Sequence, residues 1–389
     1  MTPHRSHIAR ILFAAIVFSG CQSIRFDLPG RLTAEDWPTD GKTADRSRYV
    51  PETLSLPLEV SWEYSANAGF GPGSPLILDG VVLVGTRKGE IHAVELETGR
   101  KRGFKKMGEA IEGSPLIANG MLYVPSAWGK KVLVGFDLKR GVISWKVAGV
   151  PFETALVAHE DNVVGVDVEG TVRSFNGKTG EEVWRLELGE KISAQASPLL
   201  ISPNQLFVAT DDGNGYLVDL NVPDIIWQTN LGAPVYVSPV TSDGVIYIST
   251  TRGSLVAIEA VTGEQKWLMQ TLNPEVRMGA PAVDGERVYL GATDGRVRSV
   301  DINTGEVQWE VQLSDVVTGA PLVTRETVFV GTMGRDLMGL RVTTGDLVWE
   351  VEMKGRIKSA MAIAGEGLIV LSEPRYVTYF KHVEQSDEG

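Results

Sequence analysis

Few residues of this chain are placed to do chemistry. Past residue 20 the histidines are His92, His159 and His382, and no two stand at metal-ligand spacing. Asp211-Asp212-Gly213-Asn214-Gly215 has the composition of a calcium loop but lacks the later glutamate that completes one. Gly177-Lys178-Thr179 and Gly41-Lys42-Thr43 end like a phosphate-binding loop. The glycine required five positions earlier is Val172 in one and Asp36 in the other, so both read as turns. No Gly-x-Ser-x-Gly turn presents a nucleophile, and Cys21 is the only thiol. No catalytic set and no metal site are expected.

The strongest local signal is charge. Between residues 100 and 140 stand Arg100, Lys101, Arg102, Lys105, Lys106, Lys130, Lys131, Lys139 and Arg140, opposed only by Glu109, Glu112 and Asp137. Trp128 sits among them at a hairpin tip where other repeats carry Asp, Arg or Lys. Lysines on edge strands can simply block sheet-to-sheet aggregation. They can equally form a docking surface for anionic lipid or an acidic partner, felt over about 8–10 Å at physiological salt.

What must position these residues follows from composition and period. The chain has 389 residues, 43% hydrophobic and 22% charged, with a net charge of −12. This excludes wholesale disorder and argues against a nucleic-acid partner held by bulk charge. Arg5 and Arg10 precede a short apolar run, Ile11 to Phe18, and then Ser19-Gly20-Cys21. That arrangement predicts a secretory signal over residues 1–20, too short for a permanent membrane span. Phe18-Ser19-Gly20-Cys21 resembles a bacterial lipobox, which implies lipidation of Cys21. Gln22 follows rather than aspartate, which favours the periplasmic face of the outer membrane. Residues 21–56, rich in Pro, Asp, Arg and Gly, are expected to form a flexible tether.

The remainder is one motif written eight times. Trp62, Trp145, Trp184, Trp227, Trp267, Trp309 and Trp349, with Phe104 filling the one gap, recur at intervals of 39 to 43 residues. Glycines (Gly89, Gly129, Gly170, Gly213, Gly253, Gly295, Gly334) and prolines (Pro75, Pro115, Pro198, Pro239, Pro281, Pro321) keep the same period. Each unit reads as four short strands separated by Asp-Gly or Thr-Gly turns, leaving no room for helices. Such sheets bury both faces only by stacking around an axis. The expected fold is all-β, an eight-bladed β-propeller over residues 57–381. The aromatics should wedge between blades, with small residues such as Gly135, Ser174, Ala257 and Ser299 leaving space for a neighbour's indole. Only three strands fit after Trp349, so Pro57–Tyr64 should supply the fourth and close the ring; residues 382–389 are an acidic tail.

The run Ala257-Ile-Glu-Ala-Val-Thr-Gly-Glu-Gln-Lys-Trp267 resembles the docking motif of pyrroloquinoline-quinone-type propellers. Within them the chain is similar to the lipoprotein family that assists outer-membrane β-barrel assembly. The resemblance implies a non-enzymatic scaffold without a cofactor, quinone included, bound to the barrel-assembly subunit or to nascent outer-membrane proteins and anchored to the membrane by lipid. That family's partner-contact segment corresponds to residues 190–198, where Ile192 can supply an apolar contact and Ser193 stands in place of an arginine. The rival implication is a quinone- or ligand-binding propeller. Trp37-Pro38, Gly41, Asp45 and Arg46-Ser-Arg48-Tyr49 resemble the N-terminal segment of quinoprotein dehydrogenases, although the adjacent cysteines of those enzymes are absent. A third possibility is a general interaction lipoprotein unrelated to barrel assembly.

Overall fold

The computed structural model describes residues 24–27, 32–189 and 192–383. The predicted signal, Cys21 and most of the acidic tail lie outside these residues. Eight four-stranded antiparallel sheets follow one another around a hub, each ordered from an inner to an outer strand. Alternation of buried and exposed residues explains the strands. The second and third strands of each blade are buried nearly throughout, as in Val81–Gly85 and Glu90–Glu95, because both faces pack on neighbouring blades. Outer strands alternate, as in Gln265–Gln270 with Trp267 and Met269 inward.

Closure is shared by the two chain ends. Leu58–Ser65 pairs antiparallel with Tyr376–His382, from Leu58 opposite His382 to Ser65 opposite Tyr376, and forms the outer strand of blade 8. A one-residue slip would turn Trp62 away from the seam, so the apolar pattern fixes this register.

The residues expected to be a flexible tether include a well-packed segment. Trp37 is wholly buried, and Asp40, Arg46 and Arg48 are 5% exposed or less. Tyr49–Val50 adds a short parallel strand to the inner edge of blade 7. The physical reason is that inner strands present unpaired N–H groups around the hub, and an extended segment can satisfy them. The amide N–H groups of Ile77, Ile117, Thr241, Val283 and Val323 donate to the carbonyls of Trp37, Pro38, Asp45, Ser47 and Arg48, at 3.0, 2.8, 3.1, 2.9 and 2.9 Å. These five donors are the second residues of the inner strands of blades 1, 2, 5, 6 and 7.

Candidate functional site

The seams show what the repeated aromatics do. In each repeat seam the indole lies opposite a residue of its own blade's third strand: Gly135 faces Trp145, Ser174 faces Trp184, Ala257 faces Trp267 and Ser299 faces Trp309. The small residue therefore makes room for its own blade's indole, not a neighbour's. A Cβ on Gly135 would lie 2.1 Å from the Trp145 ring. From there six of the seven indoles reach a backbone carbonyl of the following blade. The Nε1 groups of Trp62, Trp145, Trp227, Trp267, Trp309 and Trp349 donate to the carbonyls of Leu96, Gly177, Ala260, Ile302, Val342 and Leu58, at 2.6 to 3.2 Å. Trp184 is partly buried against the cluster that includes Leu220.

A second aromatic on the same blade supports most of these indoles, at ring-centroid distances of 5.7 to 6.1 Å: Tyr123, Phe207, Tyr247, Tyr289 and Phe329. Sequence reasoning missed them, although four of the five stand 20 residues before their tryptophan. Burial and nearby Asp161 push the Tyr123 hydroxyl up to about 12, and burial raises Tyr247 and Tyr289 further. These hydroxyls are structural and stay protonated.

Blade 1 departs from this plan, and Phe104 is not its docking aromatic. The residue opposite Ala93 is Gly103. Phe104 points to the other face, 49% exposed and stacked on His92 with centroids 5.5 Å apart. The gap between blades 1 and 2 is filled from outside the repeat, by Ile24 and Phe26, 3% and 1% exposed. Leu138 carries the carbonyl equivalent to the indole acceptors, and it takes the backbone N–H of Phe26 at 2.9 Å. Gly141 keeps positive φ here as Gly263 does in the blade 4–5 seam; a Cβ would meet Arg25 at the first and Trp227 at the second.

The hub holds one ionic cluster. Arg48 Nη2 donates to Asp40 Oδ2 at 3.0 Å, and Arg46 Nη1 donates to the carbonyls of Ser197 and Pro198 in blade 4. Burial alone would raise the Asp40 carboxyl. Arg48, Arg46 and the Ser74 N–H outweigh it and hold the group below its ordinary range. Burial lowers Arg46 to about 10, so its guanidinium remains charged near neutrality. Asp40, Arg48, Ser114, Gln195, Ser197 and Lys358 help to line a cavity of about 80 Å³ on the axis. That is well below the roughly 300–1,000 Å³ of ordinary ligand pockets.

The remaining candidates fall into structural roles. Asp211 Oδ1 accepts the Ser193 backbone N–H at 2.8 Å, while Asp212 holds Thr210 and Asn214 within its own turn. Among the described residues no group of three His, Cys, Asp or Glu is placed to hold a metal. Ile192 is 5% exposed and packs on Gly189 and Gly170, so its side chain is not displayed to a partner. His92 lies between Tyr64 and Glu90, His159 meets Asn204, and His382 meets the Pro57 carbonyl. The basic residues Arg100, Lys101, Lys105, Lys106, Lys130 and Lys131 are exposed on blades 1 and 2, Arg102 lies partly buried over the Phe26 ring, and Trp128 is 52% exposed.

A family model described as outer membrane protein assembly factor BamB matches residues 56–165, 168–320 and 295–382. The chain belongs to the BamB family. It is 27% identical over 195 residues to BamB of Legionella pneumophila, across 47% of this chain and 49% of the relative. The chain thus spans about half the length of the curated relatives it matches. The crystal structure of Moraxella catarrhalis BamB superposes with a TM-score of 0.67 at 16% identity, over 84% of this chain and 100% of that one. Quinohemoprotein alcohol dehydrogenase of Comamonas testosteroni is also similar, 30% identical over 181 residues, which is 39% of this chain and 25% of the enzyme. Its structure gives a TM-score of 0.74 at 13% identity, over 95% of this chain and 85% of that chain. The structural likenesses establish the propeller fold. The BamB-family match begins at residue 56, so the segment that crosses the hub lies outside it.

Proposed function

We propose that this BamB-family protein is a lipid-anchored periplasmic scaffold that binds other proteins and assists assembly of outer-membrane β-barrels. The observation that carries the reading is the filled hub. Residues 37–50 bond to the inner strands of five blades and to the residues leading into that of a sixth, and only a small cavity remains on the axis. The working surface is then the exterior: turns, rims and outer strand edges, where a partner strand can add through main-chain hydrogen bonds. Family membership supports barrel assembly as the process served. Lipidation of Cys21 is part of the proposal and rests on the lipobox-like sequence.

Mild in-cell crosslinking followed by purification tests this. Recovery of the barrel-forming subunit or of nascent outer-membrane proteins is expected. Consistent recovery of unrelated envelope proteins alone would assign a general interaction role instead.

Similarity to a quinohemoprotein alcohol dehydrogenase motivates one rival, a quinone-binding propeller. Addition of pyrroloquinoline quinone to the purified protein should give no saturable absorbance change. Stoichiometric uptake would reverse the reading.

A further inference from the structure

The missing indole of blade 1 leaves an unusual outer edge. The outer strands Lys101–Lys106 and Val142–Val147 flank the gap; the exposed side chains of the first are mostly basic, and the second adds Lys146. Lys131 on the same blade and Lys105 across the gap both lie near Lys146; desolvation and these two neighbours lower its ammonium. The ion pairs of this edge are Lys106 with Glu109 and Arg140 with Asp137. Among the described residues, Lys105, Lys130, Lys131 and Lys146 have no carboxylate partner.

Other blades differ. Cations on or against their outer strands are matched, as in Arg185 with Glu182, Lys266 with Glu259, Arg296 with Glu310 and Lys354 with Glu63. Protection against edge aggregation would be served equally by matched charges, so it does not account for the imbalance. The first edge presents unmatched cations over a strand of six residues, about 20 Å. Trp128, two residues before Lys130, is exposed with them.

The chain's N-terminal side leads to this same edge. Ile24 and Phe26 are buried in the blade 1–2 seam, and Arg25 Nε donates to the Lys139 carbonyl. Cys21 is three residues before Ile24, about 10 Å of extended chain at most. An acyl chain there would bring this edge, rather than the acidic remainder of the ring, against a bilayer.

We infer that the outer edge of blades 1 and 2 is a membrane-facing surface that rests on anionic phospholipid headgroups through Lys105, Lys130, Lys131 and Lys146, with Trp128 at the interface. The ring stands edge-on to the bilayer, and its other sides stay free for partners. The inference goes beyond the scaffold reading and requires neither a protein partner nor the acyl chains.

Vesicle co-sedimentation of the full chain tests it, with phosphatidylcholine alone compared against a mixture one-third phosphatidylglycerol. Any attachment through the first residues is common to all variants, so the difference between compositions reports the lysine edge. The wild-type chain should favour the anionic vesicles, and added salt should erase the preference. The triple variant Lys105→Gln, Lys131→Gln, Lys146→Gln should bind anionic vesicles roughly a hundredfold more weakly, at about fivefold per lysine. Arg252→Gln with Arg277→Gln, on blades 5 and 6, should bind as wild type. A matching thermal melt for the triple variant separates lost docking from lost folding. Equal wild-type binding to both compositions, or undiminished binding by a folded triple variant, overturns the inference. So does a folded triple variant that keeps its vesicle binding but loses an acidic protein from the crosslinked set, which would assign the edge to that protein.

Discussion

The seam between blades 5 and 6 and the seam between blades 1 and 2 solve one packing problem with different parts. In the first, Trp267 lies over Ala257, donates to the Ile302 carbonyl at 3.0 Å, and presses on Gly305. In the second, Gly103 leaves the space empty, Phe26 donates its backbone N–H to the Leu138 carbonyl, and Ile24 and Arg25 cover Gly141. A seam therefore needs a donor for one carbonyl and apolar bulk above one turn, and the source of those groups is immaterial. The repeat supplies both in six seams, and at the seam of blades 3 and 4 Trp184 supplies apolar bulk against the cluster that includes Leu220. In the eighth they come from residues outside the repeat.

Experiments can break or sharpen this contrast. The largest effect is expected from deleting residues 57–65, which removes Trp62 and the outer strand of blade 8 together. Thermal melting should fall by about 10 °C or more, and an unchanged melt would show that the ring does not depend on this closure. Asp40→Asn comes next. It leaves Arg46 and Arg48 buried without a carboxylate, at a cost of about 3–5 kcal/mol by denaturant titration. Because the Asp40 carboxyl is held below its unfolded value, its contribution is present above about pH 4 and is lost as pH falls further. Wild type should lose stability there with a slope that Asp40→Asn lacks.

Trp267→Ala should also cost about 3–5 kcal/mol of global stability. Phe26→Ala should cost less, about 1–3 kcal/mol, and speed amide exchange chiefly around residues 138–141. Adding Gly103→Trp to Phe26→Ala should restore protection at that seam. If the two alanine variants behave alike across the whole ring, the seams are not interchangeable modules. The smallest effect belongs to His92, 2% exposed and held below its ordinary value by burial despite Glu90. Its neutral form is favoured in the fold, so stability present above about pH 6.5 should decline slightly as pH falls below it. His92→Phe should flatten that part of the profile.

The fold was legible because it is written repeatedly. The four short strands expected of each unit appear in blade 6 as Ala282–Val283, Arg287–Gly291, Arg296–Asp301 and Val307–Gln312. Trp62 falls in the last blade because counting strands after Trp349 leaves one missing. What period alone could not give was register. Phe104 and Gly103 differ by one position, and in a strand one position exchanges the two faces. Residues 37–50 escaped for a different reason. Proline, glycine and charge look like a linker, and nothing local announces that Arg46 and Arg48 will meet carbonyls more than 150 and 230 positions away. Nor could the sequence show that Ile192 turns inward, since burial at that loop depends on the glycines it packs against.

The segment across the hub has a consequence for how this gene can change. Arrays of similar units commonly gain or lose copies by duplication, since each contacts only its neighbours. Here one stretch of backbone meets the inner strands of blades 1, 2, 5, 6 and 7 at the same position in each. It acts as a gauge of circumference. Inserting or excising a single unit would throw its carbonyls out of step with every later amide, so the copy number is locked by a stretch that is not itself a copy.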